Sequence, residues 1–262
     1  MISQVISHPM QIKDTKEIKI SVIVPTYNEK ENLIQFVNEV KANMGKKVNY
    51  EIIVVDDNSP DGTGEIADDL SMKNNSIKVI HRPQKMGLSS AIIDGLKVSD
   101  GEYIIVSDGD LQHSPTLFRE FQNEIQNGFD LVIASRYIQG AKIDGWSLFR
   151  RSISMGATLF AHLLIPETRK INDPLSGYFI FKKSLIESTN LSGIGWKFLL
   201  ELIANSRFEK NIEVPYIFKI RTNGKSKLKL SDYMDYLKLI FFLISNSSNK
   251  KIQKTSKDIN YS

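Results

Sequence analysis

Ile104-Ile105-Val106-Ser107-Asp108-Gly109-Asp110-Leu111-Gln112-His113-Ser114-Pro115 opens on a short β-branched run and closes on polar residues and proline. Such a run reads as a buried strand, here ending in two carboxylates separated by one glycine. At the carboxyl end of a strand in an open α/β sheet, that pair of hard oxygen ligands suits a divalent cation already carrying phosphate oxygens. Taken alone, an Asp-x-Asp is more often a solvated turn, with Ser114 before Pro115 as a helix cap. The flanking sequence decides between the two.

Upstream, Ile18 to Val24 is a mostly apolar run that stops at Pro25-Thr26-Tyr27-Asn28-Glu29. Asn28 or Thr26 is expected to cap a helix bearing Leu33, Phe36, Val37 and Val40 at helical spacing. Glu51 to Val55 is a second strand, feeding the acidic turn Asp56-Asp57-Asn58-Ser59-Pro60-Asp61-Gly62 and a helix from Thr63 to about Met72. Ile77 to Ile80 is a third, followed by Arg82-Pro83-Gln84-Lys85-Met86-Gly87-Leu88 and a helix through Ala91, Ile92 and Leu96. Strands alternating with helical patterns at this spacing predict an α/β fold with a parallel, doubly wound sheet. Ligands then belong at the strand carboxyl ends, where the loops after the first, second and fourth strands converge. Neither Gly-x-Gly-x-x-Gly nor Gly-x4-Gly-Lys-Ser/Thr occurs, which argues against a dinucleotide dehydrogenase and a P-loop NTPase.

Downstream come a helix from Leu117 to Ile125, a strand from Asp130 to Ala134 ending in Ser135-Arg136-Tyr137, and a loop holding Gly140 and Gly145. From Trp146 to Ile165 the chain is strongly apolar with Arg150, Arg151 and His162 interspersed, an amphipathic helix that fits a core position at least as well as a lipid-facing one. A turn at Asn172 to Gly177, a strand from Tyr178 to Phe181, a helix from Trp196 to Ala204, a strand from Ile212 to Ile220, a basic loop from Arg221 to Leu228 and a last amphipathic helix over 231–245 complete the body. The expected organisation is a polar lead-in over 1–17, one domain over 18–245, and a polar, Lys-rich, disordered tail over 246–262.

With 262 residues, 41% of them hydrophobic and 24% charged, the chain is long enough to bury one sizeable α/β core. A formal net charge of +4 is mild, and no aromatic-plus-arginine recognition motif points to nucleic acid. The absence of cysteine excludes disulfides, thiolate metal sites and Cys nucleophiles, and the four histidines are scattered. The longest apolar run near the carboxyl end, Leu239 to Ile244, is far short of the ~20 residues of a membrane span. Membrane contact is therefore expected to be peripheral or through a partner.

Taken in order, Val24-Pro25-Thr26-Tyr27-Asn28-Glu29, Val54 to Thr63, Asp108-Gly109-Asp110-Leu111-Gln112-His113, Ala134-Ser135-Arg136-Tyr137, Asp173-Pro174-Leu175-Ser176-Gly177 and the loop from Arg221 to Leu228 resemble the inverting family-2 glycosyltransferases of the GT-A fold, specifically the dolichyl-phosphate mannose synthase group. The resemblance runs from about residue 18 to about residue 245, with Gly109 where Ala is commoner and Ser114 where Pro is commoner. It implies a Rossmann-like, mostly parallel sheet flanked by helices, with carboxyl-terminal amphipathic helices. It also implies that Pro25, Tyr27, Glu29, Val54 and Asp56 hold the guanosine of GDP-mannose, and that Asp108, Asp110 and Gln112, with Gly109 between the carboxylates, hold Mg²⁺ or Mn²⁺ on the diphosphate. Arg136, Arg150, Arg221 and Lys227, with Ser154 as a hydroxyl donor, match the family's phosphate-handling positions.

The implied reaction is attack by dolichyl or another polyprenyl phosphate on the mannose anomeric carbon, with inversion and release of GDP, at the cytoplasmic face of a membrane and with a small membrane subunit as a candidate partner. The segment Ile171-Asn172-Asp173-Pro174 lacks the paired carboxylates typical of a general base. A phosphate monoester with a second pKa of about 6 is already mostly dianionic at neutral pH and needs no such base. Three alternatives stay open on the sequence: UDP-glucose as donor, a glycan hydroxyl as acceptor with Asp173 as base, and an inactive nucleotide-sugar-binding module.

Overall fold

A computed structural model of the chain describes residues 18–45, 48–187, 189, 191–219 and 230–259, the last stretch with side chains over 231–246. The first half alternates β1 (Lys19–Thr26), α1 (Lys30–Asn43), β2 (Asn49–Asp56), α2 (Thr63–Lys73), β3 (Ile77–His81), α3 (Leu88–Val98) and β4 (Tyr103–Val106). The second half carries α4 (Phe118–Gln126), β5 (Leu131–Ser135), β6 (Lys142–Ile143), α5 (Leu148–Leu164), β7 (Phe179–Lys182), α6 (Phe198–Asn205), β8 (Asn211–Pro215), β9 (Ile217–Phe218) and α7 (Leu230–Ile259).

The main sheet has the order β3-β2-β1-β4-β7-β5-β8, and β6 pairs with β9 in a separate ribbon. The expected α/β architecture is present, with helices flanking a mostly parallel sheet. Among the described strands, only β7 runs against its neighbours, antiparallel to both β4 and β5. The segment expected as one strand from Ile212 to Ile220 is two, because β8 ends at Pro215 and β9 leaves to join β6. Strand order reverses direction at β1, between β2 and β4, so the crevice at their carboxyl ends is where a ligand is accommodated.

Each central strand is apolar on both sides and sends alternate residues to opposite faces, as the two-residue strand period requires. Ile20, Val22, Val24, Ile52, Val54 and Ile105 pack on the face covered by α1 and α4, with Leu33, Phe36, Phe118 and Phe121. Ile23, Ile53, Val55, Ile104 and Val106 face the other way, onto α3 and α6 through Ile92, Leu96, Phe198 and Leu202. A Cβ at Gly95 would sit 2.7 Å from the Ile23 side chain, so glycine there lets α3 lie close on β1.

The helix starts differ from expectation in an informative way. Neither Asn28 nor Thr26 caps α1. Asn28 turns out of the strand at φ +56°, and its N–H donates to Ser59 Oγ at 3.0 Å, while the Thr26 hydroxyl donates to Asp56 Oδ1 at 3.2 Å. The orphan donors at the start of α1 are met from the next loop instead, Glu29 N–H by Thr63 Oγ1 at 2.9 Å and Lys30 N–H by Asp61 Oδ2 at 3.2 Å. The loops after β1 and β2 are thus locked together. Ser114 likewise does not cap through its side chain, and its hydroxyl lies 3.1 Å from that of Thr116.

Of α5 only Thr158 and Ala161 are buried, whereas Leu148, Phe149, Met155, Leu159 and Leu163 are exposed, which overturns a core position for most of this helix. Tyr236, Leu239, Ile240 and Leu243 of α7 pack with Ala161, Ile165 and Leu200 in a third cluster. No glycine or proline interrupts residues 230–259, and the backbone of α7 runs on as helix to Ile259, past Asn246 where a disordered tail was expected. Among the described residues, no helix is long and apolar enough to cross a membrane. The expected lead-in over 1–17 lies outside the described residues.

Candidate active site

A cavity of about 600 Å³ opens at the carboxyl ends of β1, β2 and β4, with the start of α5 and the first turns of α7 lining its other side. All three described non-glycine residues with positive φ, Asn28, Asn58 and Leu111, lie in the loops after β1, β2 and β4. Left-handed backbone costs little for asparagine and more for leucine, and such conformations concentrate at ligand sites.

At Leu111 (φ +60°) the reversal brings Asp108, Gly109, Asp110 and Gln112 to the cavity together. Asp110 is 1% exposed, and its Oδ1 accepts the Gln112 backbone N–H at 3.0 Å. The Gln112 amide nitrogen donates to the Lys219 carbonyl at 2.9 Å, so the carbonyl oxygen is what its side chain presents elsewhere. His113 is buried in an aromatic box, stacked on Tyr178 at 5.1 Å, and its Nδ1 accepts the Asp108 N–H at 3.4 Å. This histidine holds the acidic turn in place. Among the described residues, no three acidic, histidine or cysteine side chains group as a protein-only metal cage. Two carboxylates and an amide oxygen facing one cavity fit a hard divalent ion that draws its remaining oxygens from water and a substrate phosphate.

Pro25, Tyr27 and Glu29 line the same cavity, and Lys85 Nζ sits 3.9 Å from the centroid of the Tyr27 ring. Two residues expected beside them do not. Val54 is fully buried in the core, because the strand period points it away from the crevice. Asp56 is also buried, accepting bonds from Thr26 Oγ1 and from both the amide and hydroxyl of Ser59. The neighbouring Asp57 reaches the cavity instead, its carboxylate held by the Arg82 guanidinium and by the N–H groups of Met86 (3.3 Å) and Gly87 (3.0 Å). Sequence reasoning passed over Asp57 and Lys85. The signal for Asp57 was the pair Asp56-Asp57 at a strand end, where only one of two successive side chains can face in.

On the far side Arg136 is nearly buried and clamped by Asp173, which accepts from Arg136 N and Nε through Oδ2 at 3.0 and 2.7 Å and from Nη2 through Oδ1 at 2.7 Å. Burial alone would weaken the Arg136 charge, but the Asp173 carboxylate overrides it and pushes the pKa up, so the guanidinium stays charged. Ser154 of α5 accepts from the Tyr137 hydroxyl at 2.7 Å, and Arg150 lies over the Trp146 ring at 4.3 Å. Arg136, Arg150 and Ser154 all line the cavity with the acidic turn. Lys197, at the start of α6, also lines it and was not anticipated, because a lysine beside the apolar run Phe198 to Ile203 reads as the edge of a core helix. Arg221 and Lys227 lie outside the described residues.

Residues 21–189 match the family described as Glycosyl transferase family 2. The chain is 43% identical over 227 residues to a protein of Pyrococcus furiosus named dolichol-phosphate mannosyltransferase, covering 87% of this chain and 64% of that relative's length. It is 34% identical over 247 residues to the protein of the same name from Saccharomyces cerevisiae, covering 88% and 90%. Among solved structures it resembles mannosyl-3-phosphoglycerate synthase from Rubrobacter xylanophilus, at 20% identity and a TM-score of 0.59 over 92% of this chain and 75% of that one. It also resembles glucosyl-3-phosphoglycerate synthase from Mycobacterium tuberculosis, in complex with Mn²⁺, UDP-glucose and phosphoglyceric acid, at 19% identity and a TM-score of 0.59 over 87% and 78%. These two likenesses are likenesses of fold.

Proposed function

The chain belongs to glycosyl transferase family 2, and from that premise we propose that it transfers mannose from GDP-mannose to dolichyl or another polyprenyl phosphate, with inversion at the anomeric carbon. The observation that carries the acceptor class is the state of Asp173. In a transfer to a hydroxyl this carboxylate would be the base, yet it is fully buried and accepts three bonds from Arg136. A phosphate dianion attacks without surrendering a proton, so the reaction needs cations where a hydroxyl acceptor needs a base.

In this reading Pro25, Tyr27 and Glu29 receive the guanosine, joined by Asp57 in place of Asp56 and Val54, and Lys85 serves the face of Tyr27. Asp108, Asp110 and Gln112 hold Mg²⁺ or Mn²⁺, which when bound neutralises charge developing on the diphosphate leaving group. Arg136 commits Nε and one terminal nitrogen to Asp173, and its other terminal nitrogen serves the acceptor phosphate together with Arg150, Ser154, Arg221 and Lys227. An acceptor oxygen forms the new bond to the anomeric carbon while the bond to the diphosphate breaks, and its electron pair leaves with GDP. The exposed apolar side of α5, with Met234 and Phe241 of α7, lies against the acyl region of a cytoplasmic membrane face, where a small membrane subunit would also dock.

Incubation with radiolabelled GDP-mannose or UDP-glucose, a short polyprenyl phosphate and Mg²⁺, Mn²⁺ or EDTA tests this assignment. Metal-dependent label in the lipid fraction from GDP-mannose alone supports donor, acceptor and metal together. Label from UDP-glucose instead would change the donor.

A further inference from the structure

The floor of the cavity holds a lysine that the proposed reaction leaves without a task. Lys197 is 9% exposed, and its Nζ donates to the Leu175 carbonyl at 2.8 Å and sits 3.6 Å from the centroid of the Trp196 ring. Its position is fixed from both sides. The Lys197 carbonyl accepts the N–H groups of Leu200 and Glu201 as α6 begins, and the Trp196 indole N–H donates to the Asp232 carbonyl of α7 at 3.3 Å. Among the described residues, no carboxylate lies within ion-pair distance of Nζ.

A buried ammonium normally keeps its charge only beside an anion, and one neutral carbonyl and one indole face leave its three donors short of an anionic partner. The charged groups facing it are Arg136, Asp173 and Asp108, and Asp173 is already committed to Arg136. Burial, with Arg136 adding to it, pushes the Lys197 pKa down to about 7, while Asp173 and Asp108 pull the other way. Asp173 is bonded to Arg136 and Asp108 makes no ion pair with Nζ, so the ammonium lacks an anion of its own, a place that an entering phosphoryl group fills and a neutral ligand does not.

We propose that Lys197 Nζ is a phosphoryl-binding group of the transfer site, donating to a phosphate oxygen of a substrate that also meets Arg136. This role rests on the reaction proposed above. The phosphoryl group comes from the nucleoside diphosphate or from the lipid phosphate, and binding measurements separate the two.

Full-length wild type, Lys197→Met and Lys197→Arg are titrated calorimetrically with GDP plus Mg²⁺ and, separately, with a short polyprenyl phosphate in detergent micelles. The expected result is a loss of about 10-fold or more in affinity for one probe in Lys197→Met, largely restored in Lys197→Arg, and little change for the other. The probe that loses affinity identifies the source. Affinities for both probes within twofold of wild type in Lys197→Met would overturn the assignment. Wild type that binds neither probe would overturn the proposed reaction itself, and the assignment with it. If Lys197→Met does not fold at the assay temperature, Lys197→Gln is read by the same two affinities.

Discussion

Asp173 is fully buried, and both of its carboxylate oxygens are bonded to Arg136, one of them to the backbone N–H as well as to Nε. Arg136 directly follows β5, where the chain turns into the cavity, and Asp173 comes from the turn before β7. Glu213 in β8 fixes that turn in its own place, accepting the Asp173 N–H at 2.9 Å and the Asn172 N–H at 2.8 Å. The guanidinium is thus clamped by the turn before β7, and β8 holds that turn in place.

Removing the carboxylate strands a buried positive charge. Asp173→Ala is expected to destabilise the fold by roughly 3–5 kcal/mol, read as a fall of order 10 °C in melting temperature, and to abolish transfer. Arg136→Lys cannot reproduce the two parallel bonds and is expected to lower the transfer rate by about 10²-fold with a smaller loss of stability. Thermal denaturation beside a transfer assay separates the two effects.

Asp110 is the least exposed member of the acidic turn. Asp110→Asn keeps the shape and the acceptor for the Gln112 N–H, and removes the charge. Transfer is expected to fall by about 10²- to 10³-fold with the melting temperature in EDTA nearly unchanged. The rise in melting temperature that Mn²⁺ plus GDP gives the wild type should disappear in the variant.

Lys197 links the site to stability through pH. Its pKa lies near 7 in the folded chain against 10.5 for an ordinary lysine. Below about 7 both folded and unfolded states hold the proton, and the group contributes no slope. Between about 7 and 10.5 the unfolded chain binds a proton that the folded chain lacks, so stability attributable to this group rises with pH. Urea denaturation of wild type and Lys197→Met at pH 7, 8 and 9 is expected to give a difference that moves steadily in favour of the wild type.

The exposed side of α5 offers a test of membrane contact. Leu159 and Leu163 are 59% and 64% exposed one helical turn apart. Leu159→Glu with Leu163→Glu is expected to cut co-sedimentation with anionic liposomes several-fold while leaving the melting temperature within about 2 °C of wild type. Unchanged sedimentation would remove α5 from the membrane-facing surface.

Much of this architecture was legible because strand and helix periods are local properties. The runs at Ile18, Glu51, Ile77 and Ile104, each closed by polar residues, give the strands and the crevice at their ends. Pairing direction is not local. Phe179 to Phe181 reads the same forwards or backwards, and only its neighbours make the strand antiparallel. Within the site, the acidic turn and Arg136 were legible through the order of the motifs around them, since a carboxylate pair at a strand end is by itself no more than a solvated turn. Val54 and Asp56 do not line the cavity for a geometric reason, since the alternation along β2 and the Ser59 turn decide which side chain reaches it. Asp57 is held by Arg82, some distance along the chain, and Lys197 matters only because Leu175, Trp196 and Arg136 surround it in space. Partners of that kind leave no mark in a linear reading.

The central claim is that the nucleophile is a phosphate and that the enzyme supplies cations instead of a base. The most direct measurement offers radiolabelled GDP-mannose and the preferred divalent ion with equal concentrations of a polyprenyl phosphate, the matching polyprenol and a mannose-terminated oligosaccharide in separate reactions. The account predicts label in lipid from the phosphate alone, in a product that mild acid cleaves back to free mannose. Label in the polyprenol or the oligosaccharide, with none in the phosphate, would contradict it.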